Sequence, residues 1–509
     1  MKCNSLLLFL PVLILVNLVM TVAATADRPN IIFLMTDDQR CDNLGCYGPP
    51  EFKTPNIDKL AKQGVLFEKA FYAVSICMPS RVTMFTGRYI SNHKVGFSIP
   101  YDQTLSQSDF ADSYASQLKG AGYRTGFVGK FGFAVTDEMQ RPNEIKGYDF
   151  KQHLTKHFDY FISDGTHTGG GRKIWAEDDA KLKAIYEKKP KTGRTLRNGK
   201  AMLNFIDTQP KDKPFCLSVS FHAVKHDNNA HLHRPHFDLF KNEKFPVPDN
   251  WVEGANPKLP KVVVDHWRGH RLHVKRSSTP AQYQRLVRRF AAQGYTVDQQ
   301  VGLLVEKLKE KGLLENTIII YTSDNGRFQG SHGLFDKALL YEESVKQPLI
   351  VFDGRAAEGK RGRRVTGLIS SVDIAPTILA LAGLPAPSSM QGSSFSKILD
   401  QSQDMSKWQK SVFMEQLFVQ SLRNAGTKKK ADEIIAKTIA QNKSYRCHGV
   451  RTDRWKYFIY YEHNPKIEEL YDLQADPLEQ ENLVDHPEHS ETLKQLRKQT
   501  QEMYAAAKK

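Results

Sequence analysis

Cys77-Met78-Pro79-Ser80-Arg81 sets a thiol, a proline, a hydroxyl and a guanidinium close together, and Val82-Thr83-Met84-Phe85-Thr86-Gly87-Arg88 follows. A proline is tolerated in the first turn of a helix, where its missing N–H costs nothing, so a helix starts at this box. Cys77 then sits at a helix N-terminus, where unpaired backbone N–H groups favour a bound anion. An ordinary buried cysteine at a helix start is the plain alternative. Asp37-Asp38 and Asp324-Asn325 offer short oxygen ligands at the ends of two apolar runs. Hard oxygens without cysteine or histidine suit Ca²⁺ or Mg²⁺ rather than zinc, although either pair alone also serves as a turn or helix cap. Lys130 follows a glycine-rich segment and Lys337 precedes an apolar one, and on that ground alone each reads as a solvated surface lysine. His226, directly after Lys225, is a candidate proton donor, because histidine titrates nearest neutral pH. His332, in Gly330-Ser331-His332-Gly333, and His93 are two further histidines.

These groups are far apart in the chain, so a fold must bring them together. Asn30-Ile31-Ile32-Phe33-Leu34-Met35 is a continuous apolar run, the pattern of a strand buried on both faces. Tyr123 to Val128, Pro214 to Phe221 and Thr317 to Thr322 read as further strands. Thr54 to Ala61, stopped by Gly64, reads as a helix. Asp109 to Leu118 reads as another, and Tyr283 to Lys311 as a long amphipathic one ended by Gly312. Helices alternating with buried strands predict an α/β sheet with helices on both faces. Ligands in such sheets bind beyond the carboxyl ends of the strands, where Asp37, Asp38, Lys130, His226, Asp324 and Asn325 all fall. After Pro385-Ala386-Pro387-Ser388-Ser389 the character changes. Trp455 to Tyr461 is β-rich, and a polar helix begins near Pro487, which predicts a smaller α+β domain.

At 509 residues the chain is too long for one small core. Lys2 precedes an apolar run from Leu6 to Val22, and Ala24-Thr25-Ala26 offers an A-x-A cleavage pattern, so 1–26 reads as a signal peptide and the mature protein as exported, periplasmic or secreted. No later segment is apolar enough to span a bilayer. A net charge of +16 suggests polyanionic partners, and in an exported protein sulfated glycans fit better than nucleic acid. The segment Lys258 to Arg289 is a case in point: it holds nine Lys/Arg, three histidines and one acidic residue, Asp265. With His231, His233, Arg234 and His236 it could line a cleft for a polyanion. Cys41, Cys46, Cys216 and Cys447 permit disulfides, but their spacing does not dictate any.

The C-x-P-S-R box resembles the maturation signal of the type I sulfatases, with Met78 where that family prefers a smaller residue. Lys130, after Gly122 to Gly129, is similar to the lysine of the second sulfatase signature, and Lys337-Ala338-Leu339-Leu340-Tyr341-Glu342-Glu343 to the family's Lys-x-x-x-Tyr-Glu-Glu run. The resemblance runs from Pro29 to about Asn482. It implies an alkaline phosphatase-like α/β sandwich, with a large mixed central sheet flanked by helices over 27–395 and a C-terminal α+β domain over 396–509. It implies that a formylglycine-generating enzyme converts Cys77 to Cα-formylglycine (3-oxoalanine), whose gem-diol attacks sulfur. One Ca²⁺ would be bound by Asp37, Asp38, Asp324 and Asn325. Arg81 would orient the hydrate, and Lys130 and Lys337 would grip the sulfate. The implied activity is hydrolysis of sulfate esters, of a sulfated polysaccharide or other glycan; a phosphomonoester or phosphonate hydrolase and a catalytically weak glycan-binding protein are the alternatives.

The pattern departs in two places. Gly132 stands where many relatives carry a histidine, and His332 or His93 could take its place at the substrate. The family's Ala-Pro-His reads Ala223-Val224-Lys225-His226, so a gap-free match puts Lys225 in the acid's position and one inserted residue puts His226 there. We take His226 as the acid and Lys225 as a substrate-binding cation.

Overall fold

The apolar run at Asn30–Thr36 (β1) is buried along its whole length, which requires a layer against each face. The computed structural model describes residues 28–97, 103–140, 150–163, 173–175, 193–225, 232–418 and 428–509. The expected signal segment 1–26, His226 and His231 lie outside the described residues.

The other strands of the central sheet are Val65–Phe71 (β2), Arg124–Gly129 (β3), Tyr160–Ser163 (β4), Lys173–Trp175 (β5), Phe215–Ser220 (β6), Thr317–Ser323 (β7), Lys346–Asp353 (β8), Arg363–Val365 (β9) and Ile369–Ser370 (β10). Their order is β9-β2-β8-β7-β1-β6-β3-β4-β5, with β10 also on β2. The sheet is mixed: β8 runs antiparallel to β2 and β7, and β5 antiparallel to β4.

Helices cover both faces. The ones that matter here are Pro55–Gln63 (α1), Cys77–Thr86 (α2), Arg194–Asp207 (α3), Lys261–His266 (α4), Arg268–Arg276 (α5), Pro280–Glu310 (α6), Ile374–Leu381 (α7) and Ser490–Ala507 (α8). Period-two alternation sorts the strand side chains. Ile31, Phe33 and Met35 share a core with Val82 and Phe85 of α2 and Ile374 and Ile378 of α7. Ile32 and Leu34 face Ala201 and Phe205 of α3 and Val297 and Val301 of α6.

Capping chemistry explains where the helices depart from expectation. Thr279 accepts a hydrogen bond from the Gln282 N–H and Pro280 takes the first turn, so α6 starts three residues before Tyr283. The helix expected over Asp109 to Leu118 is two, Gln107–Ala111 and Tyr114–Gly120, because Ser113 is extended and caps the second.

Strands Ser411–Gln416 (β11), Cys447–Thr452 (β12), Trp455–Tyr460 (β13) and Ile467–Asp472 (β14) form a separate antiparallel sheet in sequential order. Leu493 and Leu496 of α8 pack on one face, with Phe413, Val450, Tyr457 and Leu470. On the other, Met414, Phe458 and Tyr460 meet Phe71, Trp267 and Tyr341 of the main layer. All five described cysteines are free thiols. No described helix is long and apolar enough to cross a membrane.

Candidate active site

Strand register brings the separated polar residues to one edge. In the parallel ladder Thr36 lies opposite Ser323, Met35 opposite Ser220, and Gly129 opposite Ser220. The residues that leave these strand ends, Asp37, Asp324 and Lys130, therefore emerge side by side. The α2 helix delivers the thiol to the same place. It begins at Cys77 after an extended Ile76, and every residue of it is buried.

The Cys77 Sγ lies 3.5 Å from Asp37 Oδ1 and 3.8 Å from Asp38 Oδ1. Lys337 Nζ donates to the sulfur at 2.7 Å, and Lys225 Nζ lies 3.9 Å from it. Arg81, one turn along α2, sends Nε and Nη2 to Asp324 Oδ2 at 2.9 and 2.6 Å. Its Nη1 donates to the Lys130 carbonyl and to Ser220 Oγ. Lys130 pairs with Asp37, which also accepts from Lys225 at 3.1 Å. Lys337 pairs with Asp38 and donates to Asn325 Oδ1 at 3.0 Å. Arg327 pairs with Asp38 as well.

Three buried carboxylates thus meet five buried or nearly buried cations. Burial alone would raise the Asp37 carboxyl, but Lys130, Lys225 and Arg81 outweigh it and hold the group well below its usual range. The same contest, with Lys337 and Arg327 as partners, holds Asp38 low. The Cys77 thiol moves the other way, raised by burial and by Asp37. An unmodified Cys77 is therefore a poor thiolate at neutral pH. Lys225 is held well above its usual value, because Asp37 and Cys77 overcome its burial. Lys130, more dominated by burial, is lowered.

The structure brings together Cys77, Arg81, Lys130, Lys225, Lys337, Asp37, Asp38, Asp324 and Asn325. His226 lies outside the described residues. His93 and His332 are not brought to the sulfur. The His93 ring accepts from the Val95 N–H at 3.1 Å and bonds Thr83 Oγ1 at 3.1 Å, and burial holds it well below its usual value, as a neutral core histidine. His332 lies 3.3 Å from Glu343, which raises its pKa against the pull of burial. The vacancy at Gly132 has a local cause. Its φ is +93°, and a Cβ there would come within 2.9 Å of Arg81 Cδ. The Arg81 side chain fills the space that a side chain at 132 would need. Sequence reasoning missed Arg327 and Ser220. Both stand at or just beyond a strand end, Arg327 immediately after Asp324-Asn325-Gly326, and that position was the available signal.

Asp37, Asp38 and Asp324 each offer an oxygen within 4.8 Å of the others and of Cys77 Sγ. With the Asn325 amide oxygen they make a buried, all-oxygen donor set, anionic in three members, which fits a hard divalent cation. The cations around it suit the sulfate or phosphate that such an ion would bind.

The family model described as "Sulfatase" matches residues 29–384, and "N-sulphoglucosamine sulphohydrolase, C-terminal" matches 437–506. The chain is 27% identical to an N-acetylglucosamine-6-O-sulfatase of Bacteroides thetaiotaomicron, over 94% of this chain and 87% of that protein. It is 25% identical to an arylsulfatase of Clostridium perfringens, over 92% and 93%. In fold it is similar to a solved structure in complex with its substrate D-glucosamine-2-N,6-O-disulfate, with a TM-score of 0.73 at 24% identity, covering 95% of this chain and 98% of that one. It is about as similar to the phosphonate monoester hydrolase of Agrobacterium radiobacter, with a TM-score of 0.72 at 20% identity, covering 94% and 96%. An α/β sandwich of this kind, carrying a C-x-P-S-R helix start against paired acids and lysines, together with a family match over most of its length, means that the chain belongs to the sulfatase family of sulfuric ester hydrolases.

Proposed function

We propose that this enzyme removes sulfate from a glycan, with Cys77 as Cα-formylglycine and one Ca²⁺ held by Asp37, Asp38, Asp324 and Asn325. The observation that carries the reading is the position of Cys77: first residue of a buried helix, with two carboxylates and two ammonium groups within 3.9 Å of its sulfur. A formylglycine at 77 would supply a hydrated aldehyde as the attacking oxygen, and the cation would draw charge from the sulfate.

The chain's own residues have clear tasks around that centre. Lys337 and Lys225 hold the sulfate oxygens as point charges, because both already reach residue 77. Arg81 is fixed by both nitrogens to Asp324 and keeps the acid oriented while countering local negative charge. Lys130 does the same for Asp37. Charge grows on the leaving sugar oxygen as the S–O bond breaks, and His226 supplies the proton there. The names of the relatives support a glycan substrate, and the basic chain suits a polyanion. The apolar segment 1–26 supports export after an encounter with the formylglycine-generating enzyme.

The comparable likeness in fold to a phosphonate monoester hydrolase supports a second reading, in which the same site cleaves phosphate or phosphonate esters. Parallel rates on 4-nitrophenyl sulfate, phosphate and phenylphosphonate separate the two, with a panel of sulfated glycans as the third arm. Sulfate release should exceed phosphate release by at least tenfold. The reverse order would pass the site to phosphorus esters.

A further inference from the structure

The basic segment around 258–289 is not absorbed by the site, and its placement is specific. α5 sits on the loop that carries Lys337. The Phe335 N–H donates to the Gly269 carbonyl at 3.1 Å, and Arg268 pairs with Asp336. Asp336 is also 3.7 Å from Arg327, which pairs with Asp38. An unbroken chain of charged groups therefore runs from a candidate metal ligand, Asp38, through Arg327 and Asp336, to Arg268 at the start of α5.

Helical geometry then sorts α5 into two faces. At 100° per residue, Arg268, Arg271 and Lys275 fall within about 60° of one another. The opposite side is tied down: Gly269 is buried, and the buried His273 bonds the Val252 carbonyl at 2.7 Å and Ser277 Oγ at 2.9 Å. Arg271 and Lys275 are exposed, and neither pairs with a carboxylate among the described residues. Lys261 of the preceding α4 is likewise exposed and unpaired among them. At 1.5 Å per residue the face from Arg268 to Lys275 is about 10 Å long.

Unpaired surface cations on one side of one short helix, in continuity with the anion-binding centre, have little use for stability, since exposed pairs are weak even when made. They do suit a ligand with anionic groups repeated along its length. We infer that the outer face of α5 binds anionic groups on the same glycan whose sulfate ester reaches residue 77, so that the substrate is a polysulfated chain rather than a singly sulfated sugar. This rests on the glycan sulfatase reading above. The face engages the chain beyond the scissile ester and takes no part in the chemistry.

The test is a double charge reversal, Arg271→Glu with Lys275→Glu, in the full mature enzyme. A second double variant, Lys494→Glu with Lys498→Glu on α8, changes net charge equally and acts as the comparator; both lysines are about 80% exposed, in weak pairs. Binding of a heparin octasaccharide is measured at low salt with Cys77→Ser added, so that no turnover is needed. Surface fields fade over about 10 Å at 0.1 M salt. The α5 reversal should weaken heparin binding at least tenfold and flatten its salt dependence, whereas the comparator should change it less than threefold. On wild-type Cys77 the α5 reversal should raise KM for the polysulfated chain and leave 4-nitrophenyl sulfate hydrolysis within threefold. Unchanged heparin binding, an equal loss in the comparator, or an equal loss on the small aryl sulfate would each overturn the inference. So would an equally α5-dependent binding of single-stranded (dT)₈, which would make the face a general polyanion or nucleic-acid surface. Failure of the glycan sulfatase reading shows separately: wild-type enzyme would release no sulfate from any sulfated glycan, whatever the binding result.

Discussion

Two regions of this molecule bury carboxylates completely, and they shift their pKa values in opposite directions. At the strand ends, Asp37 and Asp38 face Arg81, Lys130, Lys225, Lys337 and Arg327, and both stay ionised far below the usual carboxylate range. At the C-terminal sheet, Glu469 accepts hydrogen bonds from the Tyr341 hydroxyl at 2.9 and 2.8 Å and from the Tyr471 hydroxyl, and burial raises its pKa. Glu415 of β11 is bonded by Ser91, and burial pushes it up to about 7. Burial is the same in both places. The partners differ: several cations offset burial around Asp37 and Asp38, whereas the hydroxyl groups beside Glu469 and Glu415 do not. The first arrangement keeps negative charge ready for a divalent ion and positive charge ready for an anion. The second serves cohesion between the two sheets.

The largest effect should come from removing one acid of the charged region. Asp324→Ala takes away a proposed cation ligand and the partner of Arg81, and should abolish bound Ca²⁺ by metal analysis and lower sulfate release by on the order of 10³-fold or more. Stoichiometric zinc, or full activity after exhaustive chelation, would break the assignment.

Next comes the contrast between Lys225 and His226. A fixed positive charge helps every sulfate ester, whereas a proton donor matters most when the leaving oxygen is a poor one. Lys225→Ala should therefore slow activated aryl sulfate and glycan sulfate by similar factors. His226→Ala should slow the glycan by roughly 10²–10⁴-fold and the activated aryl sulfate far less. If the leaving-group dependence appears in Lys225→Ala instead, the acid is Lys225 and the gap-free match is the right one.

Arg327→Leu breaks a buried ion pair without touching Cys77. It should cost about 3 kcal/mol of stability in chelator, since it leaves Asp38 short of a partner. Added Ca²⁺ should restore more of that loss than it adds to the wild type. Equal stabilisation of both by Ca²⁺, read by denaturant melts, would separate Asp38 from the cation.

The smallest effect belongs to the hydroxyl-bonded acids. The raised pKa of Glu415 means that the folded state binds a proton the unfolded state releases at lower pH. Its stabilising contribution is full below the unfolded value near 4.5 and is lost as pH rises through about 7. Glu415→Gln should therefore gain on the wild type between pH 5 and pH 8, by on the order of 1–3 kcal/mol in denaturant melts. A difference that does not change with pH would place the Glu415 charge elsewhere.

Much of this contrast was legible in the sequence on one side only. The buried strands announced themselves as apolar runs. Asp37, Asp38, Asp324 and Asn325 were visible because they interrupt those runs at their carboxyl ends, and Cys77 because Pro79 fixes a helix start. Arg327 and Ser220 were not, because an arginine after a turn and a serine in a strand carry no periodic signal. Their roles come from strand register, which only the fold supplies. His93 and His332 could not be placed from the sequence for the same reason: a lone histidine reads alike whether a core hydroxyl, a glutamate or a substrate lies beside it. The helix break at Ser113 was hidden by a continuous pattern that a single capping hydroxyl overrode.

The proposed function requires residue 77 to work as an aldehyde and not as a thiol. Its most direct test is mass spectrometry of the peptide spanning residue 77, from enzyme co-expressed with a formylglycine-generating enzyme, read against sulfate release by the same preparations. Cys77 should be converted, activity should scale with the converted fraction, and Cys77→Ser, which offers one hydroxyl where a hydrated aldehyde offers two, should be inactive. Fully active enzyme whose Cys77 is entirely an unmodified thiol would contradict it.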